Sequence, residues 1–350
     1  MPAAGETKYR QHYEILVYTK YIVNSKISST FAFSLKRFSI EMNNKLLTVG
    51  TLAFDTIETP LSRVERTMGG AANYSALASA IFDVEQAVVS VIGEDYPQSF
   101  LDYLIEREID ISQIEKVQGG RSFFWSGRYF TNMNKRETLE TQENVLSGYT
   151  PKINPAFSDA SFVLLGNLHP KVQLQVLEQL SSRPSLVVSD TMNYWIDHTP
   201  ELLEELIRKT DVLTVSDEEA FALTGETVLL RAVEKLQQKG ASYIIIKRGE
   251  HGAMLFHEEK RFFTPALPLT QVYDPTGAGD TFAGGFIGYM AQTGEVSFEN
   301  MKNALVYATT LASFCVEQMG VERLLSLTKE EVLRRLFCLK ELTQFEIKVV

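Results

Sequence analysis

The stretch "DPTGAGDTFAGG", residues 274–285, carries four glycines and two aspartates and runs into an apolar segment of helical character. Gly277 and Gly279 permit a tight backbone course and let main-chain N–H groups approach an anion with no Cβ in the way. A helix beginning here adds unpaired N–H groups and the positive end of its dipole. The combination is a cradle suited to a phosphoryl group. Asp280 falls in the first turn, aimed at the same spot. A carboxylate beside a phosphate is unfavourable unless it has chemistry to perform, such as accepting the proton of an attacking hydroxyl. The competing reading is structural: Asp is favoured in a first turn, and Gly284–Gly285 would then serve only close helix packing.

Outward from this stretch, the chain of 350 residues is long for one domain and short for three. Its 45% hydrophobic and 22% charged residues are ordinary globular composition. No run reaches the ~18 apolar residues of a membrane helix, and a net charge of -10 argues against a nucleic-acid face. Cys315 and Cys338 form no CxxC and read as two buried thiols, with a cytoplasmic setting expected. Residues 1–41 are net basic, without an apolar core and small-residue cleavage site. They read as an N-terminal extension, disordered or a spurious upstream start, with Met42 opening a domain over 42–350.

From residue 45 onward short apolar runs alternate with longer helical patterns. Strands are predicted at 46–49, 87–92, 162–165, 186–189, 212–215 and 243–247. Helices are predicted at 70–82, 97–108, 172–180, 200–209, 217–223 and 228–238. An antiparallel edge follows at 252–257 and 261–264, then helices at 277–292, 298–318 and 329–340. This alternation implies an α/β fold with a parallel sheet covered on both faces. Two insertions, about 55–68 and 121–143, break the pattern; polar, extended and rich in aromatics, they read as a small β lid. In such folds ligands bind beyond the carboxyl ends of the strands, and the remaining motifs fall there.

"VGTLAFD" (49–55) ends a strand with Asp55. A dinucleotide site would place GxGxxG there, and its absence removes the support for a dehydrogenase. No GxxxxGK[ST], GxSxG or HExxH occurs, so P-loop, serine-hydrolase and zinc-protease readings fail as well.

"DPTGAGDTFAGGF" resembles the C-terminal signature of the ribokinase-like (PfkB) family of carbohydrate and nucleoside kinases, and the resemblance spans residue 46 to the C-terminal helix. It implies a three-layer α/β/α sandwich with a mostly parallel central sheet and a small β lid. It also implies Asp280 as catalytic base, the Gly277, Ala278 and Gly279 amides as anion hole, and Asp274 as the residue helping to bind a monovalent cation such as K⁺. Asp55 would accept hydrogen bonds from substrate hydroxyls, which suits a polyol; otherwise it is a loop aspartate.

In "GGAANYSA" (69–76), Gly69 and Gly70 match the family's substrate-side pair. The family usually has Asn four residues after the second glycine. Here that residue is Tyr74, so either Asn73 takes the substrate role through a local shift or Tyr74 replaces it. In "SDEE" (216–219), Glu219 matches the family glutamate that organises the water shell of Mg²⁺; it also reads as a first-turn acid behind an N-cap. "IIIKRGEHGAML" (244–255) resembles the nucleotide-side turn, with Gly249 at the nucleoside and Lys247 at the ATP phosphates. "VVSDTMNYW" (187–195) ends a strand with the substrate-side candidates Asp190 and Asn193. Tyr194 and Trp195 follow, and Phe123, Phe124 and Trp125 lie in the lid. The pocket therefore looks more aromatic than basic, which suits a neutral sugar or a nucleoside; Arg128 keeps a phosphorylated acceptor open.

The expected protein is an ATP-dependent carbohydrate kinase using Mg²⁺, with a nucleoside kinase of the same fold or a non-catalytic ligand sensor as alternatives. Its partners are a small-molecule sugar or nucleoside, with neither nucleic acid nor membrane, and a homodimer through the lid strands.

Overall fold

Apolar runs short enough to be crossed in a few residues become the centre of a sheet. The structure, a computed structural model, describes residues 44–346; the extension expected over 1–41, and Met42, lie outside them. In chain order the elements begin with β1 (Leu46–Val49), β2 (Ala53–Glu58), β3 (Arg63–Gly69), α1 (Ala71–Ser79), β4 (Gln86–Gly93) and α2 (Gln98–Glu106). There follow β5 (Ile109–Asp110), β6 (Ile114–Val117), β7 (Phe123–Tyr129), β8 (Arg136–Gln142), β9 (Phe162–Leu165), α3 (Pro170–Glu178), β10 (Leu186–Asp190), α4 (Asn193–His198) and α5 (Pro200–Arg208). The last are β11 (Val212–Ser216), α6 (Asp217–Thr224), α7 (Leu229–Gln238), β12 (Tyr243–Lys247), β13 (Ala253–His257), β14 (Lys260–Thr264), α8 (Ala278–Thr293), α9 (Phe298–Cys315), α10 (Glu322–Leu325) and α11 (Lys329–Thr343).

The main sheet has the order β14-β13-β12-β11-β10-β9-β1-β4-β5, with β6 also on β4. Only β13 and β14 run antiparallel to their neighbours. Side chains alternate across it. Leu47, Val49, Val163 and Leu165 enter a core shared with α3, α5 and α7. Leu46, Phe162, Leu164 and Val188 enter a second core with α8 and α9. Parallel strands buried on both faces need this continuous apolar character.

Helix α8 fits between α1 and α9 because glycine faces both. A Cβ on Gly284 would lie 2.2 Å from the Ser75 carbonyl oxygen, and one on Gly285 would lie 3.2 Å from the Ala308 Cα. The helix-packing reading of this pair therefore holds, alongside whatever the turn before it does.

A second sheet has the order β3-β2-β7-β8. Asp55 pairs with Trp125 in parallel register across β2 and β7. Asp55 thus stands within a strand, rather than in a loop beyond β1. Strand β8 is exposed along its whole length. Two details depart from expectation. The short β5 and β6 extend the sheet edge where no strand is predicted, because two and four residues leave no readable period. Helix α9 stops at Cys315, before Gln318, and the chain turns into α10. Residues from Thr328 on belong to a second unit; its helix α11 opens with a capping box between Thr328 and Glu331. Among the described residues no helix is long and apolar enough to cross a membrane.

Candidate active site

The turn into α8 is held from three sides. Gly277, the N-cap, has φ 73°, in the left-handed region that favours glycine, and no side chain caps the helix. A Cβ there would also lie 2.3 Å from the Tyr74 ring, which packs against the turn. Asp274 accepts the Thr276 N–H and the Gly320 N–H, each at 2.8 Å. The Thr276 hydroxyl donates to the Tyr129 hydroxyl of β7 at 3.2 Å, and Ser75 Oγ donates to the Asp280 carbonyl at 2.9 Å. Ala278 N–H donates to the Pro275 carbonyl at 3.2 Å, whereas among the described residues the amides of Gly277 and Gly279 meet no acceptor; the turn fixes these two in place.

Among the described residues no N–H of another residue reaches the Asp280 carboxylate; its own amide does. Burial lifts its carboxyl from the usual range to about 7, and the negative charge of Asp190 adds to this, while Lys247 and Arg136 act against it. A carboxyl poised near neutrality is what a general base at neutral pH requires.

Lys247 and Asp190, placed by the sequence on opposite sides of the site, are bonded to each other: Lys247 Nζ donates to both Asp190 oxygens at 2.8 and 2.7 Å. A Cβ on Gly279 would lie 3.4 Å from that ammonium, so the pair sits directly beside the cradle. Burial works against the charge of Lys247, yet Asp190 and Glu219 together raise its pKa. Glu219 Oε2 accepts the Ser216 N–H at 2.7 Å in a capping box. Burial pushes its carboxyl up and nearby Lys247 draws it down. Both readings of Glu219 are thus compatible, since the cap occupies one oxygen. Among the described residues no group of three or more His, Cys, Asp or Glu side chains is arranged to hold a metal directly.

On the other side of the cleft, Asp55 is 4% exposed. A Cβ on Gly69 would lie 2.1 Å from its carboxylate, and Gly70, with φ 90°, donates its N–H to it. Burial raises Asp55 to about 7; the Gly70 bond and Arg136 lower it, and the charges of Asp274 and Asp280 raise it. Asn73 Nδ2 donates to the Gly69 carbonyl and, at 2.9 Å, to the Tyr96 hydroxyl. Asn73 therefore braces the glycine turn, while Tyr74 packs against Gly277; among the described residues the buried Asn73 Oδ1 and Tyr74 hydroxyl have no hydrogen-bond partner. Asn193 and Tyr194 open α4 on the surface. Trp195 donates its indole N–H to Asn167 Oδ1 at 2.8 Å and meets His169 at 5.0 Å. Arg128 is paired with Glu58 at 2.9 Å.

Beside the cradle opens a cavity of about 820 Å³, bounded by the turn at Gly249, by Leu267 and Leu269, and by Gly279 and Phe282 of α8. Its size suits a nucleotide.

The profile of the pfkB family carbohydrate kinases matches residues 43–327. The chain belongs to that family. It is 29% identical over 245 residues to a cytidine kinase of Thermococcus kodakarensis, covering 69% of this chain and 87% of that one. The fold is also that of the Methanocaldococcus jannaschii nucleoside kinase, with TM-score 0.69 and 21% identity over 84% of this chain and 98% of that one. Arabidopsis thaliana ribokinase, solved with ribose and ATP, gives TM-score 0.68 and 21% identity over the same shares. As a PfkB family member the protein is a phosphotransferase with an alcohol group as acceptor.

One residue of this PfkB kinase escapes a reading of the sequence. Arg136 begins β8, opposite Tyr129. Its guanidinium lies 5.6 Å from the Trp125 ring centre, beside Tyr129, and feels the charges of Asp280 and Glu219. Among the described residues it forms no ion pair within 4 Å. Nothing in "NMNKRETLE" singles it out, because its position depends on the β7–β8 pairing. Only the general preference for arginine at phosphate sites could have drawn attention to it.

Proposed function

We propose that this kinase transfers the γ-phosphoryl group of ATP to a hydroxyl of a neutral sugar, with ATP in the cavity beside α8 and the acceptor against Asp55 and Gly69–Gly70. The observation that carries this reading is the placement of Asp280 in the first turn of α8, behind Gly277 and Gly279, whose amides meet no acceptor among the described residues. Asp280 takes the proton of the attacking hydroxyl, the oxygen bonds to the γ-phosphorus, and the bond to the departing ADP oxygen breaks. The amides of Gly277 and Gly279 stabilise charge on the transferring group; the Ala278 amide, expected to join them, is held by the Pro275 carbonyl. Lys247 and Arg136 supply positive charge on either side. Asp55 accepts acceptor hydroxyls and orients them. The second sheet acts as a lid that excludes water, which would otherwise compete as acceptor.

Glu219, a hard carboxylate near Lys247 with one oxygen left by its cap, fits the water shell of a Mg²⁺ that binds through the substrate phosphates; Asp190, expected at the substrate, has both oxygens on Lys247. When bound, the Mg²⁺ would neutralise charge on those phosphates. Asp274 is buried and has no cation within 4 Å among the described residues; its carboxylate fits a monovalent cation such as K⁺. A cytoplasmic setting and a homodimer paired through the lid edge complete the proposal.

A nucleoside acceptor is the second reading, supported by the similarity to a cytidine kinase. The test is ADP formation from Mg-ATP on a panel of free pentoses, hexoses and nucleosides, with and without K⁺. Turnover on a free sugar is the expected result. Turnover on nucleosides alone selects the second reading, and acceptor-independent silence with tight ligand binding would leave a sensor.

A further inference from the structure

The nucleotide cavity is bounded on one side by a segment that acceptor chemistry does not require. Between β7 and β8 the chain folds as an ordered tip. The Phe130 N–H donates to the Lys135 carbonyl at 3.1 Å, Lys135 N–H to the Asn132 carbonyl at 2.9 Å, and Asn134 N–H to Asn132 Oδ1 at 3.0 Å. The tip reaches the nucleotide-side turn, where Asn134 Nδ2 donates to Glu250 Oε1 at 3.4 Å. Asn134 Oδ1 lies 2.9 Å from where a Cβ on Gly249 would stand. Gly249 has φ 51°; its lack of a side chain makes room for the hairpin as well as for a ligand.

Residues 131–134 line the cavity, and Met133 is the partly buried side chain among them. A thioether is polarizable and conforms to a flat apolar face such as a nucleobase. The base of the same hairpin sits at the other end of the donor site, with Tyr129 on Thr276 of the phosphate turn and Arg136 beside it. The hairpin thus touches the turn before α8 at its base and the turn at Gly249 at its tip. Asp55, by contrast, stands on β2, on the far side of β7 from β8.

We propose that the β7–β8 hairpin is the cover of the donor nucleotide, with Met133 and Asn134 as nucleotide-binding residues and the Asn134–Glu250 contact as its latch. This rests on the assignment of the cavity to ATP. Nucleotide exchange then requires the tip to lift from Glu250, whereas an acceptor reaches Asp55 without that motion.

The experiment is displacement of a fluorescent N-methylanthraniloyl-ATP by excess ATP from the full-length enzyme and its Met133→Ala, Asn134→Ala and Glu250→Ala variants. Thermal midpoints of the nucleotide-free proteins are recorded alongside. Dissociation is expected to accelerate about three- to tenfold in each variant, the worth of one modest contact, with the nucleotide-free midpoints unchanged. Unchanged dissociation in all three variants overturns the proposal. So does acceleration matched by a fall in the nucleotide-free midpoint, which would mean a merely structural tip. A parent enzyme that fails to bind the fluorescent nucleotide defeats the ATP-site reading instead, and titration of the parent distinguishes the two.

Discussion

The two halves of the cleft solve different problems with the same residue type. Around the cradle, Asp190, Glu219 and Asp280 lie close together with Lys247 and Arg136 among them, a dense and nearly balanced set of charges. Around Asp55 the carboxylate is met by a backbone N–H, two glycines and buried aromatic residues, with only Arg136 reaching across. Charge is offset by charge where we propose that phosphate moves, and by backbone dipoles where we propose that the acceptor hydroxyls bind. Burial raises both aspartates to about 7, so what separates base from acceptor ligand is the neighbouring groups rather than ionisation.

The largest expected effect tests the phosphate half. Asp280→Asn should lower kcat by about 10²–10⁴-fold, the usual worth of a general base, with nucleotide and acceptor affinities little changed by calorimetry. Near-normal turnover would remove Asp280 from the chemistry. The same substitution should stabilise the fold. A carboxyl raised from 3.8 to about 7 on folding binds its proton more tightly in the native state, so its stability contribution is lost as pH rises from about 4 to 7. The gain in thermal midpoint should be greatest above pH 7 and fade towards pH 4.

Arg136→Gln tests the one cation that reaches both halves. Its guanidinium favours the ionised form of Asp280, so its loss should move the acid limb of kcat/KM from about 7 to higher pH while turnover falls by about tenfold or more. A limb that does not move would place Arg136 outside the field of the base. The smallest effect belongs to the acceptor half: Gly69→Ala forces its Cβ against the Asp55 carboxylate. Acceptor KM should rise by about tenfold, the scale of one displaced hydrogen-bonding group, with KM for ATP unchanged. Equal rises in both constants would show that the halves are not separable.

Legibility follows chain distance. The cradle lies within "DPTGAGD", and its glycines, helix start and base could be read together because a turn is a local object. The strands of the main sheet were readable from apolar runs, while β5 and β6 were too short and too polar to announce themselves. Asn73 and Tyr74 could be nominated but not assigned. In the fold they act on different partners, with Asn73 bracing Gly69 and Tyr74 packed against Gly277. Asp190 and Lys247 were each visible at a strand end, yet their union needs β10, β11 and β12 side by side.

Local sequence alone specifies the layered α/β fold, the family, the phosphate turn and the candidate base, since periodicity and turn chemistry act over a few residues. Tertiary packing settles the Asp190–Lys247 pair, the reach of Arg136 and the hairpin tip beside the cavity at α8. Those contacts depend on strand register and on how side chains share a desolvated space, and neither quantity is carried by any one segment of the chain.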